Sequence, residues 1–270
     1  MQLRRYGFSF MKIRDIFISH IHGDHIFGIY GLLSTMSMIG RTADLFIYAP
    51  ESFGDILKTF IRDFGEMFLF KVNHIKVLGD SPTLIMETKG TEVYSFPLNH
   101  RVSCYGYLFK EKMPLRNVHK YMIEKEALSL AEIARLKEGE DIVREDGTLL
   151  RFEEITYIPY QPRSFAYCSD TAPFDKLKDY VAGVDLMYHE ATFANDLEKM
   201  ARQTLHSTAK DAALCARNAS AGRLLIGHFS SRYKDTTILL NEARRVFPET
   251  YEAEQGKEFE IQLKKLNINK

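Results

Sequence analysis

The stretch SHIHGDH, Ser19–His25, places three histidines and an aspartate within the six positions from His20 to His25. A lone histidine is usually a packed or surface residue. Four potential metal ligands in six positions form a pattern that calls for a chemical reason. His20 and His22 are two apart, so an extended segment points both to the same side. The turn at Gly23 re-aims the chain, so that Asp24 and His25 address a second position. Neutral imidazoles and carboxylates are the usual ligands of hydrolytic zinc, with Zn–N distances of about 2.0–2.1 Å. One tetrahedral ion cannot take all four groups and keep a site for water, but two ions can if other segments complete them.

The flanks carry the same reading outward. KIRDIFIS, Lys12–Ser19, has the apolar spacing of a strand that delivers His20 at its C-terminal end, and IFGIYGLLSTM after His25 reads as a helix stopped at Gly40. LFIYAP reads as a buried strand and ESFGDILKTFIRDFGEMF as a helix, with Ile56, Phe60, Ile61 and Phe64 on its apolar stripe. Short strands follow at HIKVL, TLIMET, TEVYSFPL and CYGYLF. From Lys110 to about Glu140 the chain turns charged and helical. NVHKYMIEKEALSLAEIARLKEG reads as a helix ending at Gly139, and within Lys110–Lys125 the basic residues are Lys110, Lys112, Arg116, Lys120 and Lys125, against the acids Glu111 and Glu124. These cations fit either a solvated helix face or an arm that meets RNA. Beyond it, SFAYCSD, DLMYHEAT and RLLIGHF each read as a buried strand ending in polar residues, and STAKDAALCARNAS as a helix capped by Ser207 or Thr208. Strands and helices with polar residues gathered at strand ends predict an α/β sandwich with one active edge.

Three further groups stand at such ends: His100 in SFPLNHRVS, Asp170 in AYCSDTAP and His228 in LLIGHFSSRY. A carboxylate such as Asp170 can bridge two cations. Two zinc ions would polarise a phosphoryl or carbonyl oxygen and supply hydroxide near neutral pH. His206, opening a helix in TLHSTAKDAA, can protonate a leaving oxygen or simply lie at the surface. His74 and His119 lack such settings and read as structural, while His189, next to Glu190, fits outer support of the site and plain packing equally.

The 270 residues are 45% hydrophobic and 27% charged, with 36 Lys plus Arg against 36 Asp plus Glu. That is a folded, charge-balanced composition that neither announces nor excludes a nucleic-acid partner. No apolar run reaches the length of a membrane span, and the start MQLRRYGFSFMKIRD has no continuous apolar core of a secretory signal. Cys104, Cys168 and Cys215 are odd in number and far apart, as in reduced thiols of a cytoplasmic enzyme.

Taken together, these residues resemble the metallo-β-lactamase superfamily, which carries the H-x-H-x-D-H signature, and within it the ribonuclease Z family of tRNA 3′-processing endonucleases. HGDHIFGIYGLL, PLNHRVSCYGY, SDTAPF, HEATF, HSTAKDAA and HFSSRY are similar to that family's features in order, along nearly the whole chain. The resemblance implies an αββα sandwich, 1–270, with two zinc ions per chain and a homodimer; with no apolar span, no membrane partner is expected. It implies that His20, His22 and His100 hold one zinc, that Asp24, His25 and His228 hold the other, and that Asp170 bridges them. Asp24 would also orient or deprotonate the attacking water, His206 would assist the leaving group with Glu190 orienting it, and Arg232 would meet substrate phosphate. The implied reaction is hydrolysis of one phosphodiester at the 3′ end of precursor tRNA, leaving a 3′-hydroxyl.

The segment 110–140 lies where that family places an inserted arm that grips tRNA, although ALSLAEIARLKEG lacks the family's Gly-Pro pair. His20 also stands closer to the start than in the family, so the resemblance implies a sandwich short of its first strands, with MQLRRYGF as the tail of the missing region and Met1 an internal methionine. Two other readings stay open on the sequence. One is a zinc phosphodiesterase or lactonase of the same scaffold acting on a small molecule. The other is an inactive, truncated fragment that binds metal or RNA.

Overall fold

A computed structural model describes residues 2–65 and 68–266. Met1, and Glu66 and Met67 at the end of the expected helix, lie outside the described residues. The chain divides into two compact units. Of the described residues, the first is built from those within 2–87, 92–109 and Ser164–Phe259, the second from Thr88–Thr91, Lys110–Arg163 and 260–266.

Two sheets form the heart of the first unit. One is three-stranded and parallel, with Asp15–Phe17 beside Leu45–Pro50 and Leu45–Pro50 beside Val72–Val77. The other has seven strands in the order Thr250–Glu252, Arg223–Gly227, Leu186–Glu190, Ser164–Cys168, Tyr105–Glu111, Thr91–Pro97, Thr83–Glu87. The sheets meet through an apolar layer of Tyr48, Val77, Val93, Tyr105 and Tyr107, joined by Phe17, Phe46 and Tyr167. On its outer face the small sheet packs against helices Gly23–Met38 and Phe53–Phe64 through Ile29, Leu33, Met36, Ile47, Phe53 and Leu57. The large sheet packs against helices Ala209–Asn218 and Thr237–Val246 through Met187, Leu224, Ile226, Ala213, Ala216, Leu239 and Ala243. Helix, sheet, sheet, helix is the expected αββα sandwich. Each layer buries its apolar side against the next.

Most expected elements stand where the apolar spacing puts them, with shifts at their ends. The first strand shortens to Asp15–Phe17 because Phe10–Lys12 forms a turn of 3₁₀ helix. The following helix starts earlier, at Gly23, so Asp24 and His25 lie on its first turn rather than in a loop, and Gly40 ends it with φ 79°. Thr208, not Ser207, caps the helix Ala209–Asn218 through a reciprocal capping box with Asp211. Among the described residues, no helix is long and apolar enough to cross a membrane.

The second unit has its own core of Leu128, Leu136, Ile142, Leu150 and Ile155. The single helix expected over 117–139 is instead two, Lys120–Lys125 and Leu130–Lys137. Ala127 turns left-handed at φ 46°, and Ser129 starts a new helix by a capping box with Glu132, which ends the first one. Arg116 is not available as a surface cation. Its guanidinium donates to the Thr156 hydroxyl at 2.6 Å and lies 5.0 Å above the Phe152 ring, tying the unit together. Lys110, Lys120 and Lys125 are exposed.

Candidate metal centre

Strand geometry gathers the candidate ligands. Leu186–Glu190 pairs in parallel with both Ser164–Cys168 and Arg223–Gly227, with Cys168 opposite His189 and Glu190 opposite Gly227. The C-terminal ends of these strands therefore lie level, and they release Asp170, Glu190 and His228 at one edge. At Gly227–His228 the chain turns sharply, with His228 left-handed at φ 60°. Histidine visits that region more readily than most residues, and strain of this kind gathers at functional sites.

The side chains form two sets. His20, His22, His100 and Asp170 converge with their ligand atoms within 4.8 Å of one another, and so do those of Asp24, His25 and His228. In the first set, His20 Nε2 lies 3.0 Å from His22 Nδ1, which lies 3.4 Å from His100 Nε2. Asp170 Oδ2 stands 3.7 Å from His20 Nε2 and 4.0 Å from His100 Nε2. In the second, His25 Nε2 is 3.5 Å from Asp24 Oδ2 and 3.6 Å from Asp170 Oδ2, while His228 Nε2 is 3.4 Å from Asp170 Oδ1 and 3.9 Å from Asp24 Oδ2. Bonds of about 2.0–2.1 Å make the edge of a ligand tetrahedron about 3.3 Å, so both sets match in spacing and chemistry what a divalent ion requires. Asp170, between them, reaches both.

The protonation of His20, His100 and Asp170 agrees with ligation, whereas for His25 burial is outweighed by the hydrogen bond and charge of Asp170 and the charge of Asp24, which raise it. Burial pushes His20 down to about 3, and the neighbouring His25 adds to the effect while Asp170 opposes it. Burial likewise lowers His100. The backbone carbonyl of Leu205 only accepts, so at 3.1 Å it receives a hydrogen bond from His100 Nδ1–H, which keeps the proton on Nδ1 and leaves Nε2 bare. Burial would raise Asp170, yet the hydrogen bond from His25 and the His228, His25 and His20 rings hold it below the usual carboxylate range. The first set is closed, with His20 and Asp170 buried. Asp24 is open, its side chain 70% exposed, so the second set is the one that meets solvent.

His206 stands beside this cluster, its ring 5.2 Å from that of His100 and 5.6 Å from that of His228. Its Nδ1 donates to Glu190 Oε1 at 2.9 Å. Burial would lower its pKa, but that bond and the Glu190 charge raise it. His206 is also near enough to Asp170 and His228 to share an ion with them, though its Nδ1 is committed to Glu190. Glu190 is fully buried and is held from all sides. Its Oε1 also accepts from the amides of Thr171 and Ser207, both at 3.0 Å. Its Oε2 accepts from the Thr192 amide at 3.0 Å and the Thr192 hydroxyl at 2.7 Å.

The remaining histidines lie elsewhere. His74 bonds the Ala49 carbonyl, His119 packs against Tyr121 and Tyr157, and His189 is buried with Nδ1 on the Glu190 carbonyl. Arg232 is exposed, bonded to Ser230 and stacked 5.2 Å over Phe193. Three contributors escape the sequence reading. Ser19 Oγ lies 3.0 Å from His20 Nδ1, and Thr192 touches three site residues. Leu205 is left-handed at φ 57°, and between helix Glu198–Thr204 and His206 it aims both His206 and the carbonyl that meets His100. The threonine has a legible cue, two positions past Glu190 at a strand end. Leucine carries no signal for that backbone.

The profile of the Beta-lactamase superfamily domain matches residues 150–229. A ribonuclease Z of Bacteroides thetaiotaomicron is 39% identical over 256 residues, covering 95% of this chain and 81% of the relative. One of Porphyromonas gingivalis is 41% identical over 254 residues, covering 94% and 84%. In structure, the human short-form tRNase Z superposes with a TM-score of 0.64 at 22% identity, covering 96% of this chain and 83% of that one. At that identity the likeness speaks for the fold alone.

Proposed function

The chain belongs to the ribonuclease Z family of the metallo-β-lactamase superfamily, and from that premise we propose that it is a zinc-dependent endoribonuclease that removes the 3′ trailer of precursor tRNA by two-metal hydrolysis. The observation that carries the proposal is the pairing of two ligand sets at tetrahedral spacing with a histidine held by a buried carboxylate. His20, His22 and His100 would hold one ion and Asp24, His25 and His228 the other, with Asp170 shared. Bound there, a zinc pair lowers the pKa of water and neutralises charge on phosphoryl oxygens.

The chain's own groups do the rest. Asp24, exposed at the open set, orients the attacking water and takes its proton. A 3′-hydroxyl product fixes the bond that breaks, between phosphorus and the 3′-oxygen, so the 5′-phosphate stays on the trailer. His206 therefore gives its proton to that 3′-oxygen. Glu190 holds His206 Nδ1, so Nε2 is the atom that delivers. Arg232 offers its guanidinium to a flanking phosphate. In the second unit, Lys110, Lys120 and Lys125 are the cations assigned to the tRNA backbone, and the 110–140 segment to the gripping arm. A homodimer belongs to the same proposal.

The test is cleavage of a precursor tRNA with a 3′ trailer by the zinc-loaded protein, with both product ends mapped. One cut next to the acceptor stem, with a 3′-hydroxyl upstream and a 5′-phosphate downstream, supports the reading. No cut of tRNA by protein carrying two ions, with turnover of a small phosphodiester, would replace it with the small-substrate enzyme. No cut and no ion would leave the inactive fragment.

A further inference from the structure

Thr192 lies two residues beyond the strand Leu186–Glu190, at the point where that strand and its neighbour release their polar groups. Its backbone is fixed. The Ala191 amide donates to the Gly227 carbonyl at 2.8 Å, and the Ser230 amide donates to the Thr192 carbonyl at 3.1 Å, closing the turn that carries His228. The hydroxyl is thereby held among three groups, 2.7 Å from Glu190 Oε2, 3.0 Å from His228 Nδ1 and 3.3 Å from His206 Nδ1.

Proton accounting assigns the roles. A hydroxyl has one proton to give and two lone pairs. The Glu190 carboxylate only accepts, so the Thr192 proton goes to Oε2, the shortest of the three contacts. The nearer acceptor for His206 Nδ1–H is Glu190 Oε1, at 2.9 Å. The lone pair of Thr192 is then left for His228 Nδ1–H. That bond keeps the proton on Nδ1 and bares Nε2, the nitrogen that faces Asp170 and Asp24. A ligating histidine needs its other nitrogen fixed in this way.

We propose that Thr192 is a positioning residue whose single hydroxyl couples the ligand histidine His228 to the proton-holding pair Glu190–His206. The inference rests on the function proposed above for what His228 and His206 do. The tautomer of His228 is independent of that function and can be observed without metal or substrate.

The experiment compares wild type with Thr192→Val, which keeps the shape and removes the hydroxyl, and with Thr192→Ser, which restores it. Nitrogen-15 NMR of the metal-free protein reads the His228 ring, zinc titration reads the second equivalent, and steady-state cleavage of precursor tRNA reads kcat and KM. The expected result is an Nδ1–H tautomer in wild type and Ser and a mixture in Val. In Val the second zinc binds about 10–100-fold more weakly and kcat falls by a similar factor, with the first zinc and KM unchanged. Should Val not fold, Thr192→Cys, a far weaker hydrogen-bonding group, takes its place with the same expectations. A wild-type tautomer and second-zinc affinity in the hydroxyl-free variant overturns the inference, and so does a Ser variant as impaired as Val. Failure of the wild type to cut tRNA, with the tautomer shift intact, would instead count against the enzymatic reading.

Discussion

Glu190→Gln is the substitution whose cost follows most directly from the geometry. The side chain keeps its shape, but one acceptor oxygen becomes an NH₂ group inside a pocket lined entirely by donors. With the amide turned so that oxygen faces the amides of Thr171 and Ser207 and His206 Nδ1, the NH₂ meets the Thr192 amide and hydroxyl. The hydroxyl can rotate to accept, but the Thr192 N–H cannot, and a buried unsatisfied donor costs about 1–3 kcal/mol. The opposite rotamer strands three donors and is worse. The His206 bond also loses its charge assistance, roughly another 1 kcal/mol. The total of about 2–4 kcal/mol predicts a fall in Tm of roughly 5–15 °C for a chain of this size. Because Glu190 is fully buried, substrate cannot touch it, so KM should hold while kcat drops about 100-fold or more as His206 loses its orientation. Thermal unfolding by circular dichroism and steady-state cleavage check both arms. A Tm within about 2 °C of wild type together with kcat within twofold would refute the hydrogen-bond reasoning.

Other consequences are smaller or more local. Asp211 is the half-buried partner of the Thr208 cap, and its carboxylate accepts from Thr208 and pairs with both terminal nitrogens of Arg202 at 2.8 and 2.9 Å. Burial would raise its pKa, yet the Arg202 and Thr208 bonds bring it below its ordinary 3.8. A carboxylate depressed by folding stabilises above its unfolded pKa and loses that contribution as pH falls through the folded value. Asp211→Asn should therefore cost about 1–2 kcal/mol at neutral pH, and urea titrations should show the gap to wild type closing below about pH 4. At Leu205 the left-handed backbone predicts that Leu205→Val, which is β-branched, is about 1–2 kcal/mol less stable than Leu205→Gly, by the same titrations. Chelation should lower Tm, because an ion at 100 times its Kd adds about 2.7 kcal/mol per site to the folded state. A thermal-shift series in zinc equivalents that stays flat would count against both ligand sets.

What the sequence made legible follows from how local each signal is. Four candidate ligands sit in one heptapeptide, and His100, Asp170 and His228 each follow an apolar run, so periodicity puts them at strand ends. An α/β sandwich follows from the same periodicity, and its αββα layering from the family resemblance. The arm reads as one helix because its apolar spacing is continuous across Ala127. The break is written in Ser129-x-x-Glu132, a capping box within the quoted segment, and is sealed by Arg144 donating to Glu132 at 2.6 Å and to the Glu126 carbonyl at 2.8 Å. Arg116 looked like a solvent cation because its partners, Phe152 and Thr156, lie far along the chain. Thr192 and Leu205 act through contacts made only in the folded state, with a hydroxyl and a carbonyl that any threonine or any residue carries.

The most direct test of the two-ion centre is activity on precursor tRNA measured against bound zinc, from zero to beyond two equivalents, in wild type and Asp24→Ala. Wild type should bind two equivalents, with cleavage rising mainly with the second. Asp24→Ala should hold one tight equivalent at the closed set and lose cleavage. Full cleavage at one equivalent, or an Asp24→Ala protein that binds two ions and cuts like wild type, would contradict the two-ion centre.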